Sequence, residues 1–465
     1  MRRALALLAL LAGACASETA RAPEAASAPA RTPAKNPATA QSTVAESEGD
    51  YQAVVNAALA RVSEVRKLGA IGPVKSQVIG RTALLERIQK ELMKDLEPEL
   101  IEGSNELLFS LGAAPADLDY LGSILKLLGS QLAGFYDPRV KEMVLLDDLG
   151  AEAQEVTLWH ELVHALQDQH YDLGKLVKWS PDRGDALGAI QSLAEGDATS
   201  AMLDVMLLPR GIDALALGDG ALKGSLGMVE ALPEIASVPA VLKRSVVAPY
   251  IDGVAFTHAL RAQGGWAAVD AAWRDPPATT EQMLHPEKYR AREPAEKVPA
   301  PLPLAGGPDR VLFHDVLGEQ SLRIAFEEWV PPASAAEAAS GWAGDAIVVF
   351  ANGERRAVAV RLRFDTEQQA IRAFEVLARG ALTDEPEKRR QDRPALAVSR
   401  EEGKKAAKVG RICRERAQRG PFAVARSGRD LGVTLGPYQR RTGVATSDGD
   451  CSGALRWAEA VARAR

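Results

Sequence analysis

Three of the six histidines in this chain, His160, His164 and His170, fall within TLWHELVHALQDQHYDL, residues 157–173. A neutral imidazole is a good ligand for a divalent metal ion. On a helix, the four-residue step from His160 to His164 turns about 40° and rises about 6 Å, so both rings reach one point. Glu161 lies beside them, where a carboxylate can hold a metal-bound water and take its proton. Two imidazoles and one further carboxylate leave zinc a fourth, open position, the arrangement of catalytic rather than structural zinc. The chemistry on offer is hydrolysis by an activated water. The alternative is an amphipathic helix whose histidines are surface polar groups.

HELVH matches the His-Glu-x-x-His pattern of zincins. His170 has the spacing of the third metzincin ligand. However, the glycine that turns the metzincin chain back is Gln167 here, and no methionine turn is evident. On a helix that runs on, His170 lies about 9 Å beyond His164 and about 240° around it, facing away. Glu195, in SLAEGDATSAML, sits on the next long helical stretch, 31 residues after His164, and that helix can return it to the metal. Its alternative is a solvated helix acid beside a glycine kink.

With Glu195 as third ligand the sequence resembles the gluzincins, thermolysin-like zincins with a glutamate ligand on a later helix. EGDA looks like the Glu-Gly-x-Ala found around that glutamate in several gluzincin-type peptidase families. GFYDPR, HELVHALQDQH, EGDA and TTEQMLHPEKY together are similar to a set of uncharacterised bacterial secreted zincins. The motif-bearing part covers about residues 146–205. The resemblance implies one Zn2+ held by His160, His164 and Glu195, with Glu161 as general base. It also implies hydrolysis of peptide bonds in a peptide or protein substrate, by an endopeptidase rather than an exopeptidase. By position, the strand that holds substrate would be KEMVLL, residues 141–146, and the oxyanion donor would be Tyr250, His285 or Tyr289. The thermolysin pattern has an aspartate four residues after the glutamate to orient a histidine ligand. Here that position is Thr199, and Asp197, two away, is on the wrong face of the helix. A zinc-binding envelope lipoprotein without hydrolysis, and a scaffold protein without metal, are the competing readings.

The elements that must carry these residues are legible from periodicity and punctuation. DYQAVVNAALARVSEVRKLG, from Asp50, reads as a helix and VKSQVIG as a short strand. Three helical stretches then run to about Gly129, and SQLAGFYDPRVKEMVLL reads as two strands around Asp137-Pro138. The histidine-bearing helix follows Asp147-Asp148, and a long helical pattern at 183–208 stops at Pro209. Past Pro331-Pro332 the pattern changes. DAIVVFANGERRAVAVRLRF is a hairpin around Asn352-Gly353, TEQQAIRAFEVLARG a helix, GPFAVARSGRDLGVTLG strand-like and SGALRWAEAVARAR a closing helix.

The whole reads as α+β: a mainly helical zincin-like domain over 50–330 with a small antiparallel sheet, and a smaller α+β domain over 341–465. MRRALALLALLAGACAS has a basic start and an apolar run too short to span a bilayer. LAGAC resembles a bacterial lipobox, with Ala12 where leucine is usual. Residues 1–15 are then a signal peptide and Cys15 a lipid anchor to the membrane of the cell envelope. An ordinary secretory signal cut nearby is the alternative, and both export the protein. Residues 16–49, rich in Ala, Pro, Ser and Thr, read as a disordered tether. Cys413 and Cys451 are the two cysteines left over, a disulfide in an oxidising compartment or else two free thiols. With 62 acidic against 56 basic side chains, no basic footprint for nucleic acid is present.

Overall fold

A computed structural model of the chain describes residues 48–464 apart from 96–97, 132–133, 149, 179, 218–232, 383–402 and 442. The expected signal peptide, Cys15 and nearly all of the tether lie outside the described residues. The fold is α+β. No helix among the described residues is long and apolar enough to cross a membrane.

Helix α1 (Glu48–Arg66) leads to strand β1 (Lys75–Ile79) and then to α2 (Arg81–Asp95), α3 (Pro98–Leu111) and α4 (Tyr120–Gln131). The Asp137-Pro138 signal is a hairpin of β2 (Gly134–Asp137) and β3 (Glu142–Leu146), with Tyr136 opposite Met143. Strand β1 joins the far side of β3 in parallel, Lys75 opposite Glu142, giving the order β1-β3-β2. The expected substrate strand, residues 141–146, is therefore the middle of the sheet with both edges paired. The outer strands are β1 and β2. A hairpin announces itself locally, whereas a parallel partner arriving from far upstream leaves no mark in the sequence around β3.

Helix α5 (Ala151–Tyr171) carries the histidines and ends where Asp172 turns left-handed, φ 55°. After a short turn of helix, Leu173–Leu176, comes α6 (Gly184–Leu207), then α7 (Ala240–Arg274), which breaks at Gly264-Gly265. Helix α6 is buried along nearly its whole length, from Gly184 to Val205. A helix packed on every side needs no apolar stripe, so its sequence mixes Leu and Ala with buried acids. Leu162, Val163 and Leu166 of α5, Leu193 and Ala198 of α6, Phe256 and Trp273 of α7, and Val55, Leu59 and Val62 of α1 share one core. Helices α6 and α7 touch backbone to backbone. A Cβ on Gly196 would stand 2.1 Å from the Gly253 carbonyl, and one on Gly253 would stand 1.9 Å from Ser192 O.

The second sheet begins earlier than the sequence suggests. Strand β4 (Arg310–Asp315) is followed by helices α8 (Gly318–Phe326) and α9 (Pro332–Ala339), then β5 (Trp342–Asn352), β6 (Arg355–Phe364) and α10 (Glu367–Leu382). Strands β7 (Arg411–Arg414), β8 (Phe422–Ser427), β9 (Asp430–Arg441) and β10 (Val444–Ser447) and helix α11 (Cys451–Arg463) complete it. The antiparallel order is β4-β5-β6-β9-β8-β7, with β10 on β9. A boundary at 330–341 thus separates β4 from its partner β5, Asp315 opposite Ile347. The Pro-rich stretches at 296–308 and 331–332 are crossings between packed elements. Leu107 and Leu108 of α3 share a second core with Phe313, Val358, Phe422 and Leu435, so the N-terminal helices and the sheet are not separate hydrophobic units. Cys413 and Cys451 are disulfide-bonded, with Cα atoms 5.6 Å apart, tying β7 to the start of α11.

Candidate metal centre

His160 and His164 sit one turn apart on α5, and α6 brings Glu195 against both. The Glu195 Oε2 atom is 3.2 Å from His160 Nε2 and 3.5 Å from His164 Nε2, and the two Nε2 atoms are 3.2 Å apart. Ligand atoms held about 2.0–2.1 Å from a tetrahedral zinc stand about 3.3 Å from one another, so this triangle has the dimensions of one face of such a site. The Gly196–Gly253 contact sets the depth of Glu195, because it seats α6 where any side chain at either glycine would hold the helices apart.

The donor set also calls for a cation. Buried acids on α6 otherwise have fixed partners: Asp197 meets Arg66, Asp204 meets Arg261, and Asp185 accepts from Thr280 N–H and Oγ1–H. Glu195 differs. Its Oε2 meets two imidazoles and its buried Oε1 has no partner among the described residues. A fully buried carboxylate is costly without a compensating charge, which a protonated His164 or a divalent ion can supply. The centre therefore fits zinc.

Glu161 accepts from the Tyr136 N–H of β2 at 2.7 Å through Oε2, and its Oε1 is buried without a partner among the described residues. Tyr136 also donates its hydroxyl to Asp168 at 3.0 Å, so one residue pins β2 to α5 at two points. One atom each of His160, Glu161 and His164 lies within 4.8 Å of the others. Burial pushes the Glu161 carboxyl well above the usual carboxylate range. Burial pulls the His160 imidazole down. It opposes the charge on His164 too, but the Glu195 carboxylate prevails and raises that group to about 9. For Glu195 itself, burial is outweighed by the imidazoles, and its pKa is lowered. His160, Glu161, His164 and Glu195 are all 0% exposed, so a substrate reaches them only if something opens.

His170 is not part of the group. Its Nε2 is 2.7 Å from the Gly69 carbonyl on the outside of α5, as an uninterrupted helix requires. Of the three oxyanion candidates, Tyr250 stacks on His160 with ring centres 6.0 Å apart. Tyr289 donates to Asp275 O and packs edge-on against Phe256. His285 pairs with Glu319 at 2.9 Å, joining the segment before β4 to α8. A second carboxylate cluster, Glu281, Glu293 and Asp365, is filled by the Lys288 ammonium at 2.7–2.8 Å and needs no metal.

Sequence reasoning missed Gln167. It marks a departure from the metzincin pattern, yet its Oε1 lies 2.9 Å from His164 Nδ1 and its Nε2 donates to Asp197 and to Ala194 O. The available signal was its position three residues after His164, on the same helix face.

Residues 309–441 match a family described as a domain of unknown function (DUF8575). The match opens one residue before β4 and ends with β9, so it contains most of the second sheet and none of the metal centre. No curated protein and no solved structure matches the chain.

Proposed function

We propose that this protein is a gluzincin-like zinc metallopeptidase, an endopeptidase acting on peptide or protein substrates at the cell envelope. The observation that carries the reading is the triangle of His160 Nε2, His164 Nε2 and Glu195 Oε2, with edges of 3.2–3.5 Å and the Glu195 Oε1 atom buried without a partner among the described residues. Zinc held by His160, His164 and Glu195 would supply an acidic water and a Lewis acid for a scissile carbonyl. Glu161 supplies the base: its unpartnered Oε1 accepts the water's proton and passes it to the leaving amine, while the Tyr136 N–H holds the other oxygen. Of the three oxyanion candidates, Tyr250 is the one whose ring lies against a proposed ligand, His160. The Cys413–Cys451 bond is in keeping with export to an oxidising compartment, and lipid attachment at Cys15 would hold the protein to a membrane.

Complete burial of the four groups favours a second reading, a zinc-binding envelope protein that does not hydrolyse. One experiment separates the two. The mature chain is loaded with zinc and incubated with an unfolded protein substrate, with and without chelator. Cleavage that chelator abolishes and zinc restores supports the peptidase, whereas tightly held zinc without cleavage supports the binding protein. Absence of stoichiometric zinc would sink both.

A further inference from the structure

We infer that Gln167 is the positioning residue for the ligand His164, and that Asp197 acts on the metal centre through it. This rests on the zinc reading above. The Gln167 Nε2 group donates to Ala194 O and to Asp197 Oδ2, both at 3.1 Å. Neither acceptor can donate in return while Asp197 is a carboxylate, so the amide has one satisfactory orientation. Turning it over would face its oxygen with a carbonyl and a carboxylate. Its Oε1 must therefore look at His164 Nδ1, 2.9 Å away. An amide oxygen only accepts, which places the proton of neutral His164 on Nδ1 and leaves the Nε2 lone pair for the metal. That Nε2 is the atom in the triangle with His160 and Glu195.

Asp197 is fixed in turn. It receives the Trp273 indole N–H at 2.8 Å and the guanidinium of Arg66, the last residue of α1, which is itself fully buried. Arg66 is further held by Asp270 at 2.8 Å and lies over the Trp266 ring. A line of contacts thus runs from α1 through Arg66, Asp197 and Gln167 to His164. It reaches His164 and not His160, whose Nδ1 is buried without a partner among the described residues, as is the hydroxyl of Thr199. A neutral amide meets the imidazole, and the charge stands one residue further back.

The test measures zinc affinity by chelator competition for the parent, Gln167→Met, Asp197→Asn and the double variant. The apo forms are melted to establish that each folds. Gln167→Met should weaken zinc by roughly 10–100-fold, the usual effect of removing such a partner. Asp197→Asn should weaken it less, and the double variant no more than Gln167→Met alone, because Asp197 has nothing left to act through. A measurement on the parent alone keeps the inference open to refutation if a variant does not fold. In zinc-loaded protein labelled with 15N, His164 should show a slowly exchanging proton on Nδ1. Parent affinity retained in Gln167→Met, additive losses in the double variant, or a proton absent from Nδ1 would each overturn the positioning role while leaving the zinc site intact. A parent that binds no zinc overturns the zinc reading, and this inference with it.

Discussion

The two glutamates of the centre should separate binding from chemistry. On the proposed ligand set, Glu195→Ala should lose zinc, because two imidazoles alone bind far more weakly than a three-ligand site. Glu161→Gln leaves the triangle untouched and should keep zinc at full stoichiometry. Its hydrolysis should fall by about 10²–10⁴, the usual contribution of a positioned proton acceptor. His170→Ala should change neither, since that ring bonds the Gly69 carbonyl. Atomic spectroscopy and a cleavage assay on the three proteins check this, and zinc retained in Glu195→Ala would move the third ligand elsewhere. His160, Glu161 and His164 were legible because their relation is a helical step. Glu195 was legible through its glycine neighbour and its place on the next long helix. Gln167 was not, because its meaning depends on Asp197, 30 residues away, and on which way an amide faces. His285 illustrates the reverse: a residue picked for chemistry turns out to hold structure. Its hydrogen bond to Glu319 raises its pKa despite partial burial. The sign follows from linkage: a histidine raised in the folded state stabilises most below its ordinary pKa, and that share is lost as pH rises through the folded value. Glu319→Gln should bring the His285 titration, followed by NMR, down toward or below the ordinary histidine range and flatten this decline. An unshifted titration would show that the pair is not coupled.

At the scale of elements, most helices and hairpins lie where periodicity and caps put them, because those signals act over a few residues. What the sequence around each element could not disclose is pairing at a distance, such as β1 beside β3 or α6 pressed onto α7. The second of these has a direct test. Gly196→Ala places a methyl 2.1 Å from the Gly253 carbonyl, a backbone atom that cannot turn aside. The helices must separate, at a cost of about 1–3 kcal/mol for an overpacked contact. Glu195 moves with α6, so zinc affinity should fall together with the melting temperature. Loss of stability with unchanged zinc affinity would mean that the crossing does not set the ligand's depth. The disulfide works at the same scale. It closes a loop between residues 38 apart in sequence. A cross-link of that span stabilises by roughly 3–4 kcal/mol in the chain-entropy account. Cys413→Ser with Cys451→Ser should lower stability by that order in denaturant unfolding, with zinc content unchanged.

Across the whole molecule, the two cores do not divide the chain at 341. Helix α3, from the N-terminal part, is built into the second sheet. Leu107 and Leu108 enter the core with Phe313 and Leu435. Its Glu106 accepts from the Tyr438 hydroxyl at 2.7 Å. Arg416 and Arg419 reach back to the carbonyls of Ser110 and Phe109 at its C-terminal end, where a helix has acceptors to spare and favours positive charge. Composition suggested a division because strands replace helices there, but composition cannot report which core a helix joins. A fragment beginning at 341 lacks β4, and one beginning at 309, where the family match begins, still lacks α3. Each would expose the apolar surface that α3 covers. The intact protein should therefore open both halves together. Hydrogen exchange on the zinc-free chain measures this: amides of β5 and β6 should share one opening free energy with those of α6, since cooperative units exchange as a set. If the sheet amides stay protected well after α6 has exchanged, the sheet is a unit in its own right and α3 is dispensable to it. In that event the fragment from 309 should fold alone. If the two sets exchange together, loss of α3 contacts should reach the metal centre as well, and Leu107→Ala with Leu108→Ala should weaken zinc retention during partial denaturation although neither side chain touches a ligand.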